Sequence, residues 1–280
     1  MTSILLYLLI YDMTIPYLHS IQEVSITYNT GDMPVQVLCA DKQQYICKYM
    51  RPNATIAYKL VCELIGATFA EAWKINTPPC AIVHICPEHW ATVTVPHNSF
   101  APAIGFKKID GVIDITPTSF RQTSATRQTL YQLLKIALFD FWLANEDRTC
   151  NNANLLYDID NDEFISIDYG GVLNNVTFDF PLSPLTETDS ILCADVFAHI
   201  VRAVSDKQLS NLVQQLERYY RSCLKNSQEQ QDIITQLPKD WNIPTNKITN
   251  KINELFSAEW TDAVWHNFVE CLKSNSNYGK

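Results

Sequence analysis

The sequence predicts an α+β protein in which a small, β-rich amino-terminal lobe with one main helix precedes a larger, mostly helical lobe. Two observations predict it. Residues 24–50 alternate short runs of β-branched and aromatic residues with turn clusters, as strands in hairpins do. Beyond residue 105, apolar residues recur at helical spacing, most clearly in 124–145. We therefore place two domains at residues 1–104 and 105–280.

The amino-terminal part reads as strands around one helix. Turn clusters at 29–34 and 41–44 separate the first strands, and residues 55–73, which lack proline, form a helix that ends before Pro78 and Pro79. The predicted strands of this part are 24–28, 35–40, 45–50, 81–85 and 91–95.

The carboxy-terminal part begins with the long helix. Its apolar residues Leu130, Leu134, Leu138 and Phe141 share one face. A short β-hairpin is predicted at 153–168. The remaining predicted helices are 189–204, 206–224, 228–235 and 258–273.

Composition narrows the class of function. The chain of 280 residues has seven glycines, and none has the G-x-G or G-x-x-x-x-G-K spacing. This excludes a Rossmann fingerprint, a Walker A loop and the glycine-rich flap of ordinary protein kinases. The net charge of −9 without a basic run argues against direct binding of nucleic acid or anionic membranes. Nine cysteines without a C-x-x-C pair indicate buried thiols in a reducing compartment, so we expect a cytoplasmic protein.

An apolar run occupies residues 4–11 near the amino terminus. It is too short to span a bilayer, which takes about 20 residues, and no lysine or arginine precedes it. We expect a short strand, or an extension upstream of the folded domain, and no membrane span.

Polar residues at the hairpin suggest a site for phosphate chemistry. If the strands pair about Asp160 and Asn161, position 152 lies opposite 169, and Asn152 comes beside Asp168. An amide oxygen and a carboxylate suit Mg²⁺, with phosphate and water completing its shell. Asp147, one loop away, can accept a proton from a hydroxyl. For any one of these residues a polar turn is the favoured explanation, whereas the ordered set favours a catalytic site.

A lysine in the third strand extends this set. Alternation places Lys48 on one face with Ile46 and Met50, where a lone ammonium is costly. Glu63 in the following helix could pair with it and leave the ammonium free to hold nucleotide phosphates. An edge-strand lysine that reaches water is the alternative. The pair alone leaves both interpretations open, and the Asp147 set favours the functional one.

The order of these residues resembles that of the HipA-like kinases, a branch of the kinase-like superfamily that also resembles phosphatidylinositol kinases. The resemblance spans residues 20–175. The segments that carry it are the catalytic loop Asn145-Glu-Asp147-Arg148-x-x-x-Asn152-x-Asn154, the metal element Ile167-Asp168-Tyr-Gly170, the lysine strand Tyr45-Ile-Cys-Lys48, the helix of 60–67 with its exit at 75–79, and the phosphate loop Thr30-Gly-Asp-Met-Pro34. Thr149 stands where many members have histidine.

The resemblance implies a bilobed kinase fold and an ATP- and Mg²⁺-dependent phosphotransferase that acts on serine or threonine of a protein substrate. The resemblance implies that Asp147 is the base and that Lys48, held by Glu63, binds the ATP phosphates. It implies that Thr30, Gly31 and Asp32 cover the phosphates and that Asn152 and Asp168 bind the metal. Separately, we expect the segment Gly105-Phe-Lys-Lys108 near the hinge between the lobes, where its backbone could contact adenine. Some members phosphorylate themselves near the phosphate loop, where Thr27 and Thr30 are candidates, although both also fit as plain strand and turn residues.

Other functions stay open on the same residues. A lipid or small-molecule kinase would use the same site, and a nucleotide-binding pseudokinase would serve as an interaction module. An antitoxin-like or regulatory protein partner is a further expectation, but the toxin members of the family carry an additional amino-terminal subdomain for which we expect no room here. Asp140 on the long helix either braces the catalytic loop or is a buried acid satisfied locally.

Overall fold

The structure is a computed structural model of the chain. It describes residues 15–51, 54–90, 100–228, 231–276 and 278–279. The apolar segment 4–11 and the predicted strand 91–95 lie outside the described residues.

A six-stranded sheet forms the amino-terminal lobe, in the order β1-β5-β6-β4-β3-β2. Its strands are β1 (Tyr17–His19), β2 (Ile26–Thr27), β3 (Val35–Leu38), β4 (Gln44–Lys48), β5 (Cys80–His84) and β6 (Ala103–Lys107). The pairing of β1 with β5 is parallel, and the other neighbours are antiparallel. The sequence did not predict β1 or β6, and β6 lies inside the sheet between β5 and β4.

The position of β6 bears on the division into lobes. The boundary expected at 104/105 falls inside this strand. Gly105 pairs with Cys47 and Phe106 pairs with Ile46, so both residues still belong to the first sheet. The next strand, β7 (Val112–Asp114), pairs with the second sheet. We therefore propose that the chain crosses between lobes in segment 108–111.

The main helix of the first lobe is α1 (Ala54–Ala72). Its residues 60–70 are buried without a break, because it lies between the first sheet and the helices of the second lobe. This explains why the sequence is apolar nearly all round this helix, a pattern that marks a buried helix rather than a surface one.

The second lobe is built around α2 (Arg127–Leu143). Thr126 caps it, with its side chain accepting from Thr129 N, and Ala144 ends it with a φ of 49°. The other helices are α3 (Val172–Val176), α4 (Asp195–Val201), α5 (Asp206–Gln228), α6 (Thr245–Leu255) and α7 (Ala258–Asn275). Helices α4, α5 and α7 lie around α2, and α1 contacts the short turn α3.

Two helix predictions for the second lobe need correction, and one helix was not predicted. The segment 189–204 is a 3₁₀ turn, Ile191–Cys193, followed by the shorter α4, and 228–235 corresponds to the 3₁₀ segment Gln231–Gln236. Helix α6 was not predicted, because its apolar residues Ile248, Ile252 and Leu255 are spread through a run of asparagine, threonine and lysine. In the part of the chain that is described, no helix is both long and apolar enough to cross a membrane.

A second sheet of three strands, β7-β8-β9, carries the predicted hairpin. Its strands β8 (Leu155–Asp158) and β9 (Glu163–Ser166) pair Leu155 with Ser166 and Asp158 with Glu163. The ladder continues with Ile167 N donating to Asn154 O at 3.1 Å. This is the predicted register, and the predicted α+β class with its small β-rich lobe and larger helical lobe is confirmed.

Candidate functional site

Lys48 lies at the end of β4 and joins both lobes. Its Nζ donates to Glu63 Oε1 on α1 and, at 2.7 Å, to Asp168 Oδ1 just beyond β9. The Glu63 side chain is completely buried, whereas 33% of the Asp168 side chain is exposed. The structure thus brings together the lysine, the glutamate and the expected metal-binding aspartate.

The far oxygen of Glu63 fixes the segment after Asp168. Tyr169 N donates to Glu63 Oε2 at 2.9 Å, so this carboxylate links the lysine strand to the Asp168–Gly170 turn. Asp168 has a φ of 60°, a left-handed conformation that is costly for a side chain outside a constrained site. The hydrogen bonds around it hold the carboxylate toward Lys48.

Burial and charge oppose each other in this cluster. Burial would lower the pKa of Lys48, but Glu63 and Asp168 raise it above its ordinary value. Burial would raise the pKa of Asp168, but the Lys48 charge holds it below its ordinary value. For Glu63 burial prevails over Lys48, and its pKa rises to about 7. Lys48 therefore stays charged while Glu63 titrates near neutral pH.

Two asparagine amides orient the Asp147 carboxylate. Asn152 Nδ2 donates to Asp147 Oδ1 and Asn154 Nδ2 donates to Asp147 Oδ2, both at 3.1 Å. Asp147 is half-buried and Asn152 is exposed, so the carboxylate is held firmly at an open loop. The register places Asn152 near Asp168, but the amide nitrogen of Asn152 is turned toward Asp147.

A buried ion pair braces the loop from behind. Arg148 Nε donates to Asp140 Oδ2 at 2.8 Å, and neither side chain is more than 1% exposed. Asn145 Nδ2 donates to the other Asp140 oxygen at 2.9 Å. Burial raises the pKa of Asp140 to about 6 against the lowering by Arg148. Of the two roles open for Asp140, the contacts favour bracing the loop.

The same guanidinium reaches the hairpin. Arg148 Nη2 donates to Ser166 Oγ at 2.7 Å and to Ile167 O at 3.3 Å, and Nη1 donates to the Ala153 and Asn154 carbonyls. One side chain therefore sets the position of the loop relative to the residue just before Asp168. A lysine could not make this fork of contacts.

Gly171 lets the two functional segments approach closely. A Cβ at this position would lie 2.4 Å from Asp147 Cβ and 3.2 Å from Asn145 Oδ1. Any side chain here would push the turn after Asp168 away from the loop that carries Asp147. The sequence analysis singled out the preceding glycine, and the Gly170–Gly171 pair was the signal for this second one.

A cavity of about 460 Å³ opens between the lobes beside these residues. Thr30, Lys48 and Asp168 belong to its wall. The rest of the wall combines apolar residues with charged ones, namely Ile46, Pro78, Phe106, Leu156 and Ile167 with Lys107, Lys108 and Asp114. A cavity of this mixed character suits a ligand that joins a flat, apolar ring to a charged group.

Gly105 lies inside the first sheet. It is buried in β6, where a Cβ would lie 2.8 Å from Val83 Cγ2 and 3.0 Å from Cys47 Sγ. The next residues along the strand, Phe106 and Lys107, belong to the cavity wall. Close packing in the sheet explains why this position is glycine, and an adenine contact through its backbone stays a prediction.

The expected phosphate loop lies at the mouth of the cavity. Thr30 and Gly31 are exposed, and Met33 N donates to Thr30 O at 2.9 Å to close the turn. The Asp32 carboxylate comes within 3.9 Å of Lys48 Nζ. The loop thus reaches the lysine, as the sequence order implied.

A sequence profile described as HipA-like kinase matches residues 21–267, most of the chain. The chain belongs to the HipA-like kinase family. The family match covers both lobes and every residue of the cluster described above. No curated protein sequence matches the chain.

Solved structures add the fold. The Helicobacter pylori proinflammatory kinase CtkA is 11% identical, with 91% of this chain and 98% of that chain covered and a TM-score of 0.54. This likeness shows the same kinase-like fold. More distant are Shewanella oneidensis MR-1 HipA from its complex with HipB and operator DNA (13% identical, 84% of this chain and 58% of that one, TM-score 0.33) and the open conformation of CtTel1 (12%, 87% and 12%, TM-score 0.31).

The sequence analysis missed Asn174. Its Nδ2 donates to Glu146 Oε1 at 2.8 Å and to Ser183 O at 2.9 Å, while its Oδ1 accepts from Ser183 N at 2.8 Å. It therefore ties the neighbour of Asp147 to the chain that follows the metal element.

This asparagine belongs to a rare backbone turn. Residues 173–176 all have positive φ, between 49° and 71°, and together form a left-handed turn. Such a conformation costs about 1–2 kcal/mol per residue, and asparagine tolerates it better than most. The Asn174-Asn175 pair after two glycines was the available signal.

Proposed function

We propose that the protein is an ATP- and Mg²⁺-dependent phosphotransferase that moves the γ-phosphoryl group to a serine or threonine hydroxyl of a protein. The observation that carries the proposal is the double contact of Lys48 with Glu63 and Asp168, next to an Asp147 held by two amides. In the division of labour known for kinases, positioning and charge neutralisation supply most of the catalysis.

Asp147 is the proposed base. Both of its oxygens accept an amide hydrogen, so the carboxylate is fixed in orientation while it stays open to solvent at the loop. An acceptor hydroxyl placed against it would lose its proton as the new bond to phosphorus forms. Lys48, kept charged by its two carboxylate neighbours, would hold the nucleotide phosphates in place.

The donor set fits Mg²⁺. Asp168 offers carboxylate oxygens, and among the hydrogen bonds of the described residues none uses the amide oxygen of Asn152. His, Cys, Asp and Glu side chains do not gather in threes at a metal-like site in the described ranges, so phosphate and water would complete the shell. When bound, Mg²⁺ would neutralise the charge that develops on the transferred phosphoryl group.

The open loop favours a protein acceptor over a small one. Cys150, Asn151 and Asn152 are all exposed around Asp147, so a polypeptide segment could reach the base from outside. Thr27 and Thr30 are exposed as well, and Thr30 lines the cavity, so self-phosphorylation there is part of the proposal. A lipid or small-molecule acceptor on the same site is the second candidate, and an inactive nucleotide-binding module is the third.

Partner and compartment complete the proposal. All nine cysteines are free thiols, which suits a reducing compartment such as the cytoplasm. A regulatory protein partner is kept as a proposal on the strength of family membership.

The proposal is tested with ATP labelled at the γ-phosphate. The purified protein is incubated with Mg²⁺ and label alone, with casein as a generic protein acceptor, and with phosphoinositide-containing vesicles. Intact-mass analysis then follows phosphate on the protein itself. Label on casein or on the protein supports the proposal, label on lipid supports the second candidate, and nucleotide binding without any turnover would overturn both in favour of an inactive module.

A further inference from the structure

A cluster of positive charge surrounds one carboxylate at the phosphate loop. Asp32 Oδ1 lies 3.3 Å from Lys59 Nζ and 3.9 Å from Arg51 Nη2, and Asp32 Oδ2 lies 3.9 Å from Lys48 Nζ. Three cations from three parts of the first lobe thus converge on a single acid. Such convergence is notable in a chain whose net charge is −9.

Arg51 and Lys59 share a single carboxylate. Among the ion pairs of the described residues, Asp32 is the sole carboxylate partner of both Arg51 and Lys59. Lys48 is already engaged by Glu63 and Asp168. One carboxylate therefore faces two cations that have no other acid, and the site has capacity for a group with more negative charge.

Arg51 also has an unused donor. Its Nε is buried and has no hydrogen-bond partner in the described structure, and its Nη2 reaches only the Gly31 carbonyl, at 3.5 Å. The guanidinium lies 5.8 Å from the Tyr49 ring centroid, which limits its freedom. A buried guanidinium donor left unpaired is costly, and a bidentate oxyanion is the group that best satisfies it.

The fold of the backbone places the three cations close to one another. Lys59 stands one helical turn before Glu63 on α1, so the two side chains lie on the same face of the helix. Arg51 follows β4 three residues after Lys48. Lys48 lies at the cavity wall, and Asp32 belongs to the turn whose Thr30 lines it. The cluster thus adjoins the cavity at Lys48 and at the turn that contains Thr30.

We propose that Arg51 and Lys59, together with Lys48, bind the terminal phosphate of the nucleoside triphosphate, and that the Asp32 carboxylate occupies this place in the nucleotide-free protein. This rests on the proposed function and adds two phosphate-binding residues to it. It also reverses the role expected for Asp32, whose side chain competes with the phosphate while the loop backbone covers it.

The proposal predicts that the change in binding affinity depends on whether the ligand carries the terminal phosphate. Removing Arg51 and Lys59 should weaken binding of ATP by about tenfold or more, the result of losing two charge-assisted contacts. ADP, which is one phosphate shorter, should lose less, and adenosine should lose nothing. Asp32→Asn should have the opposite sign and tighten ATP binding, because the competing charge is gone.

The experiment is calorimetric titration of the whole chain with Mg-ATP, Mg-ADP and adenosine. The proteins are wild type, the double variant Arg51→Met/Lys59→Met, Asp32→Asn, and Lys207→Met as an exposed lysine control on α5. Circular dichroism confirms that each variant is folded. The expected pattern is a loss selective for ATP in the double variant, a gain in Asp32→Asn and no change in the control.

Several results overturn the inference. An equal loss for ATP and adenosine would mean that the cluster serves packing, and unchanged ATP binding in the double variant would remove it from the site. Weaker ATP binding by Asp32→Asn would show that this carboxylate serves the nucleotide or its metal. If wild type binds ATP and the variants bind it equally well, this inference alone is wrong. If wild type binds no ATP, the proposed function is wrong as well.

Discussion

Lys48 Nζ lies 2.7 Å from Asp168 Oδ1, although 120 residues separate the two in the chain. The contact crosses from the first sheet to the turn after the hairpin, and it places the proposed phosphate-binding lysine against the proposed metal ligand. In the proposed function, Lys48 would hold the nucleotide phosphates and Asp168 would hold Mg²⁺.

The buried Glu63 depends on Lys48 for its charge. We expect Lys48→Met to lower the free energy of unfolding by up to about 3–5 kcal/mol at pH 9, because it leaves a buried carboxylate without its cation. The loss should be smaller near pH 7, where Glu63 can take up a proton instead. Urea unfolding of the nucleotide-free protein measures this. The double variant Lys48→Met/Glu63→Gln should recover part of the loss, and Lys207→Met should be neutral. Stability of Lys48→Met equal to wild type would contradict the reading of the pair.

Stability should depend on pH through Glu63. Its pKa in the folded protein is about 7, above the ordinary value of 4.5, so the folded state binds the proton more tightly than the unfolded state. The stabilisation that results is complete below about pH 4.5 and disappears as the pH rises through 7.

Comparison with Glu63→Gln isolates this dependence. The difference in unfolding free energy between wild type and this variant should move in the variant's favour from pH 5 to pH 8, while Asp140 is present in both proteins and cancels. Glu71→Gln, an exposed position on the same helix, should show no such trend. A difference that is flat across this range would exclude the raised pKa.

Arg148 should be irreplaceable by lysine. It pairs with the buried Asp140 and also donates to Ser166. It donates in addition to a backbone carbonyl just before β8 and to another just after β9. Arg148→Lys keeps the charge but not the fork of donors, so we expect a loss of at least about 2 kcal/mol. Thermal unfolding checks this against Arg221→Lys, whose side chain is 68% exposed and which should change little.

Asn174 and Asn175 offer a matched pair for testing position against strain. Both have positive φ, which glycine adopts without cost, but only Asn174 joins Glu146 to Ser183 through its side chain. Asn174→Gly should reduce kcat while the affinity for ATP stays unchanged, because the catalytic loop loses its brace.

The control for that prediction is Asn175→Gly. This residue is exposed, so its replacement should leave kcat unchanged and raise stability by up to about 1 kcal/mol as strain is relieved. Equal kcat for the two glycine variants would remove Asn174 from the positioning of the loop.

Local patterns in the sequence predicted some features of the fold and of the site but not others. The hairpin register followed from a turn centred on Asp160 and Asn161, because strand pairing is set by turn geometry. The placement of Gly105 did not follow, since only tertiary packing against Val83 and Cys47 makes a glycine necessary there. Strand β6 has an apolar, glycine-containing run that reads equally as a loop.

The missed site residues depend on long-range contacts. Lys59 and Arg51 are ordinary surface residues by sequence, and only the fold of the loop brings Asp32 between them. The left-handed turn that positions Asn174 is held by a hydrogen bond from Asn174 N to Ala144 O at 2.9 Å, thirty residues away in the chain. No local propensity specifies such a contact.

The most direct test of the central claim is Mg²⁺-dependent turnover of ATP by purified wild type, Asp147→Asn and Asp168→Asn. The proposed base and the proposed metal ligand are each replaced by an amide of the same shape, and circular dichroism confirms the fold of both variants. We expect turnover by wild type and none by either variant. Turnover by either variant at the wild-type rate would contradict the assignment of this site as the phosphotransferase centre.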